Sequence, residues 1–238
     1  MTPPETQNIN PIKDPPSIDP PKLLRQTLWV WFLTMLAIRI VHELQQIPFF
    51  KEYTMVATAI LLIYVPIWIL YRRREKIAFI ERSFKYFFNS LFWFTALSVV
   101  IFPILEIGNR YYQEIFFGLH YVGGHYKGLA KFALFHLILV AIPEEFFYRG
   151  YLQPQLNRIY GRPWKFLGAR FGWSLVITSF LFALSHSLIQ LHWWHFSIFF
   201  PSLVFGWLRE KTGAITASAL FHALSNVYSY WVVLNYRG

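Results

Sequence analysis

Apolar residues in this chain of 238 come in long blocks, separated by short polar segments that are mostly basic. A membrane-crossing helix needs about 20 predominantly apolar residues, with a range near 17–25. Seven blocks approach that length: residues 25–41, 53–71, 84–105, 129–152, 171–191, 193–208 and 215–234. The first and sixth are short. The pattern predicts an all-α fold, a polytopic membrane helix bundle of about seven (6–8) transmembrane helices. A polar, glycine-bearing connection, Gly108 to Lys127, should join the third block to the fourth. Pro154 should stop the fourth, and a basic loop with Arg158, Arg162, Lys165 and Arg170 should follow. No internal repeat is visible.

Residues 1–22 hold half of the fourteen prolines, with Asn, Asp, Gln and Lys. They predict a disordered, proline-rich tail and not a secretory signal. Residues 23–238 then form the transmembrane domain, with a core of interest at about 129–234.

Composition sharpens this picture. The chain is 55% hydrophobic, 21% aromatic and 14% charged, against roughly 25% charged in soluble domains. The net charge of +10 could suit nucleic acid, but the basic residues sit between apolar blocks, as the positive-inside rule expects. With the N-terminus inside, the inner segments hold most of the Lys and Arg, in clusters at 72–85, 158–170 and 209–211. The expectation is a multi-pass integral membrane protein with a cytoplasmic N-terminus and its C-terminus outside, in the inner or cell membrane if the source is prokaryotic. The partner surface is the lipid bilayer, with no nucleic acid. The absence of cysteine excludes thiol catalysis, disulfides and Cys-ligated zinc.

One block breaks the apolar rule. Pro143-Glu144-Glu145-Phe146-Phe147-Tyr148-Arg149-Gly150 puts three charges at the end of an apolar run, where charge is costly and marks function by default. In a helix Glu145 and Arg149 are four apart and can pair. Glu144 points about 100° away and is left for another task. Pro143 removes a backbone donor and should free the carbonyl of Leu139. The fifth block carries His186. The seventh carries His222 and Asn226, four apart on one face.

A carboxylate and an imidazole can hold and deprotonate a water, worth about 10²–10⁴-fold. A second imidazole and an amide can stabilise an oxyanion, worth about 3–4 kcal/mol per donor. Together they suit hydrolysis of an amide by water without a covalent intermediate. Each residue alone also has a structural reading: a membrane His or Asn often serves only as a helix–helix hydrogen bond, and a Glu–Arg pair can be a buried bridge. Ser185 and Ser225 adjoin the two histidines but point about 100° from them, so a Ser–His pair does not follow from adjacency. The Gly-x-Ser context of a rhomboid-like serine protease is absent.

Glu144-Glu145-x-x-x-Arg149, Phe182-x-x-x-His186 and His222-x-x-x-Asn226, in that order, resemble the three-motif signature of the CPBP family, the CAAX-processing endopeptidases and their bacterial relatives, also called the Abi family. The resemblance covers about residues 140–230. It implies an intramembrane glutamate-type endopeptidase with an all-helical bundle. Carried over, Glu144 and His186 would activate the water, His222 and Asn226 would form the oxyanion hole, and Glu145 and Arg149 would support the site. The substrate would be a membrane-anchored or lipidated protein or peptide, cut near its C-terminus in maturation or sorting. No cofactor is required; in a minority mechanism Glu144, His186 and His222 would hold zinc. The same buried residues would also serve a proton-coupled transporter, or persist in a non-catalytic membrane scaffold. Transport predicts a continuous polar path and often a repeat between halves, whereas here the polar residues gather in the second half.

Weaker features remain. His192-Trp193-Trp194-His195 reads as an interfacial aromatic belt ahead of a metal site. His120 and His125 read as solvated or lining an entrance. Arg39, His42 and Glu43 read as an interhelical pair or part of a substrate path.

Overall fold

The computed structural model describes residues 19–75 and 83–238. Most of the proline-rich tail, and Lys76 and Arg82 of the inner basic cluster, therefore lie outside the described residues. Helix α1 spans Pro20–Leu44, so it starts within the last residues assigned to the tail. A short turn, α2 (Pro48–Lys51), leads to α3 (Thr54–Arg72). Next comes α4 (Phe84–Phe117). A continuous helical run then covers residues 129–160. Its parts are α5 (Leu129–His136), a π turn (Leu137–Ala141), α6 (Ile142–Glu145), a second π segment (Phe146–Leu152) and α7 (Gln153–Tyr160). Helix α8 (Trp173–Gln190) is followed by a 3₁₀ turn (Trp193–Ile198), α9 (Phe199–Thr212) and α10 (Thr216–Asn235). Among the described residues these make seven long rods, the all-α bundle that the apolar blocks predict. Four of them, α1, α3, α4 and α8, are long and apolar enough to cross a membrane by length and composition.

Three boundaries differ from expectation. Helix α4 does not end at Glu106 but continues through Gly108 to Phe117. Glu106 and Arg110 pair one turn apart on it, at 2.9 Å. Glu106 also accepts hydrogen bonds from Tyr236 (2.7 Å) and Tyr228 (3.1 Å), which give its charge partners on α10 and just beyond. Pro154 does not stop the fourth block. It sits in the first turn of α7, where the preceding π segment already shifts the backbone ladder, with Gln153 N–H donating to Tyr148 C=O. A missing N–H costs little at such an interruption. Finally, the basic loop is partly structured. Strands β1 (Trp164–Phe166) and β2 (Ala169–Phe171) pair antiparallel across Leu167-Gly168. Both turn residues have positive φ, 45° and 81°, as a type I′ hairpin turn requires.

The core lies where the motif-bearing run, α8, α9 and α10 meet. Phe147, Leu152, Leu156, Phe182 and Leu208 are fully buried there. Helices α1 and α3 pack on each other, α1 against α7 and α8, and α3 against the π segments. Helix α4 leans on α9 and α10.

Candidate active site

The run 129–160 delivers the charges into the bundle because its two π segments bracket α6, the four residues that hold Pro143, Glu144 and Glu145. A π turn widens the helix locally and is frequent at functional sites. In the first of them the N–H of Ile142 reaches the carbonyl of Leu137.

Glu145 and Arg149 are both completely buried and pair at 3.0 Å. Arg149 Nη2 also donates to the carbonyl (3.0 Å) and hydroxyl (2.5 Å) of Ser202 on α9. Its guanidinium lies over the rings of Phe182 (4.6 Å) and Phe205 (5.3 Å). A buried charge needs this degree of compensation. The opposite end of the chain of contacts is His222, whose Nδ1–H donates to Glu145 Oε1 at 3.1 Å. His222 also stacks on Phe205, with ring centres 4.8 Å apart and planes 14° apart. Ser202, Arg149 and Glu145 thus set the position of the His222 ring.

Glu144 takes the other direction. Its Oε2 is buried and accepts no direct hydrogen bond from the protein. Two imidazoles face it: His186 Nε2 at 3.8 Å and His222 Nε2 at 3.7 Å. Both rings are oriented from behind. His186 Nδ1–H donates to the Phe182 carbonyl at 2.9 Å, which leaves Nε2 of the neutral ring as an acceptor. His222 has its Nδ1–H committed to Glu145, so its Nε2 donates only when the ring is an imidazolium.

Glu144 and His186 line one cavity of about 360 Å³, walled by α1, α3, the motif run and α8. Met35, Ile38 and Leu62 give it an apolar side, and His42, Gln45 and Gln190 a polar one. Arg39, by contrast, is tied up: it pairs with Glu43 on its own helix and donates to the Ile189 carbonyl of α8. Neither His222 nor Asn226 is among the residues lining this cavity. Asn226 Nδ2 lies 3.3 Å from Nδ1 of His136, which does line it. Sequence reasoning missed His136, and it missed Ser202 and Phe205 as well. His136 is eight residues from Glu144, out of step with it on a regular helix, so spacing alone does not flag it.

The serines beside the histidines are occupied. Ser185 donates to the Leu181 carbonyl (2.6 Å), shares a hydrogen bond with Tyr148 (2.5 Å) and accepts from Trp31 (3.2 Å). Ser225 donates to the Phe221 carbonyl at 2.8 Å. Elsewhere the rings of His192 and His195 lie 5.3 Å apart and nearly perpendicular. His120 is in a two-residue strand paired with Arg237, and the His125 backbone bonds to Asn235.

Tetrahedral zinc with bonds of 2.0–2.2 Å holds neighbouring ligand atoms about 3.3–3.6 Å apart. The Glu144–His separations are wider. Among the described residues no group of three or more His, Asp or Glu side chains is arranged to hold a metal ion.

Residues 126–228 match a family model described as Rce1-like, type II CAAX prenyl endopeptidase Rce1-like. This is the CAAX-protease family whose signature the three motifs resemble, and the match spans all of them. No curated protein matches the chain, and no solved structure does. The family match and the apolar helices together indicate an integral membrane protein.

Proposed function

We propose that this protein is an intramembrane endopeptidase that hydrolyses a peptide bond near the C-terminus of a membrane-associated or lipidated protein. One observation carries the reading: Glu144 Oε2 is buried at a cavity wall with His186 Nε2 at 3.8 Å and His222 Nε2 at 3.7 Å. These gaps exceed a direct hydrogen bond, and a water set off the line between the two atoms reaches both. Between the carboxylate of Glu144 and the acceptor nitrogen of His186, a water donates both protons and turns its lone pairs to the cavity. Attack on a carbonyl passes a proton to this pair, which then protonates the leaving amine. The developing oxyanion meets donors from His222 and Asn226. Glu145 accepts from the Nδ1–H of His222 and orients its ring, much as a carboxylate orients the histidine of a catalytic triad.

The matched family model names prenyl substrates, and the mixed lining of the cavity supports a peptide tail next to an apolar group. The charge distribution supports an N-terminus inside and a C-terminus outside.

The test is cleavage of a reporter bearing a candidate C-terminal tail, in membranes. Wild type is compared with Glu144→Ala and His186→Ala, with and without a zinc chelator. Loss in both variants at normal expression, with chelator resistance, is expected. Unchanged cleavage in Glu144→Ala would misplace the site, and loss on chelation restored by zinc would replace the mechanism.

A further inference from the structure

His136 lies outside all three motifs, yet it contacts the amide to which the oxyanion role is given. Asn226 Nδ2 carries only protons, so across 3.3 Å it donates to His136 Nδ1. That contact fixes the neutral imidazole with its own proton on Nε2. It also uses one of the two N–H bonds of a planar amide, which sets the direction of the other.

The imidazole is itself clamped. It stacks on Phe132, with centres 3.9 Å apart and planes 23° apart. Phe132 stacks in turn on Tyr230, at 4.2 Å and 8°. Phe135 meets the His136 ring edge-on at 5.7 Å. Asn226 and Tyr230 are one turn apart on α10, so a hydrogen bond and a three-ring stack tie the same two helices. The His222–Glu145 bond lies one turn before Asn226, toward the start of α10.

We propose that His136 is a positioning residue: as a hydrogen-bond acceptor it holds the Asn226 amide so that its second N–H aims at the reacting carbonyl. The proposal deepens the proteolytic reading and rests on it. It assigns His136 no contact with the reacting atoms.

Two variants separate the acceptor from the ring. His136→Phe keeps a ring for the stack and removes the acceptor. His136→Gln removes the ring and keeps an acceptor oxygen. In reporter cleavage, His136→Phe is expected to lower kcat by about 10- to 100-fold with KM little changed, the scale of a displaced catalytic donor. His136→Gln should restore most of it. In an Asn226→Ala background, itself down about 100-fold or more, His136→Phe should cost less than about twofold further. Wild-type kcat in His136→Phe, equal damage in His136→Gln, or full additivity with Asn226→Ala would each overturn the proposal.

A readout independent of turnover separates this failure from failure of the proteolytic reading. In ¹⁵N-histidine-labelled protein in nanodiscs, one histidine should show the neutral Nε2–H tautomer. Its signal should vanish in His136→Gln and shift in Asn226→Ala. An Nδ1–H tautomer or a charged ring at that position would overturn the proposal. Loss of the reporter effect of Glu144→Ala, with the tautomer intact, would sink only the proteolytic reading.

Discussion

Helix α4 and the run 129–160 are of similar length and opposite character. On α4 the one buried residue is a serine, Ser90, while Phe84, Phe88, Val99 and Ile104 stand more than half exposed. The motif-bearing run buries Glu145, Tyr148 and Arg149 beside Phe147 and Leu152. In water this pattern would be inverted. In a bilayer, lipid tails are as apolar as leucine, so apolar surface gains little by facing inward. Polar groups gain much, because the interior of the bundle is where they find partners. The interior of this molecule therefore gathers its polar groups, and the apolar helices hold them in place.

The comparison breaks most sharply at Glu144. Glu144→Ala should reduce cleavage by about 10²–10⁴-fold while leaving folding intact, whereas no substitution on the exposed face of α4 should approach that loss. The reporter assay, with expression checked alongside, decides it. Next comes Arg149→Leu. It strands the buried Glu145 and should cost about 3–5 kcal/mol, read as a lowered thermal midpoint in detergent; an unchanged midpoint would mean that the Ser202–Arg149–Glu145 chain is not structural. On α4, Val99→Asp should cost about 2.5–3.5 kcal/mol of membrane insertion if that helix faces lipid at mid-depth. A translocon insertion assay measures it, and free insertion would put Val99 near water. The smallest pair sharpens the contrast. Val99→Ala should stay within about 0.5 kcal/mol, while Ser185→Ala, which leaves the Tyr148 hydroxyl only its weak contact to the Met35 sulfur, should cost about 1–3 kcal/mol of stability. Cleavage should survive Ser185→Ala; its abolition, in a folded variant, would revive a serine mechanism.

Much of the bundle is legible in the sequence, because long apolar blocks have few alternatives in a membrane. The Thr54–Arg72, Trp173–Gln190 and Thr216–Asn235 helices fall within a few residues of their blocks. Reading fails where a breaker residue is tolerated. Gly108 and Pro154 look like ends, but tertiary partners for Glu106 and a π segment before Pro154 carry the helix on. Site residues are legible where polar groups come in spaced sets, as with Glu145 and Arg149 or His222 and Asn226. His136 stands alone in an apolar run, so nothing in its immediate neighbourhood flags it. Ser202 and Phe205 act through a backbone carbonyl, a hydroxyl and a ring face, which no spacing announces.

The π turn at Leu137–Ala141 has a further consequence, best seen as a matter of phase. At 100° per residue, His136 and Glu144, eight residues apart, would sit about 80° out of step around a regular α-helix. The wider turn between them winds less per residue and takes up part of that offset, so both side chains arrive at one cavity. The site's angular alignment is thus stored in backbone winding, upstream of any catalytic side chain. Deleting a single residue from this turn would leave every motif intact in composition, yet rotate all that follows by about a quarter of a revolution.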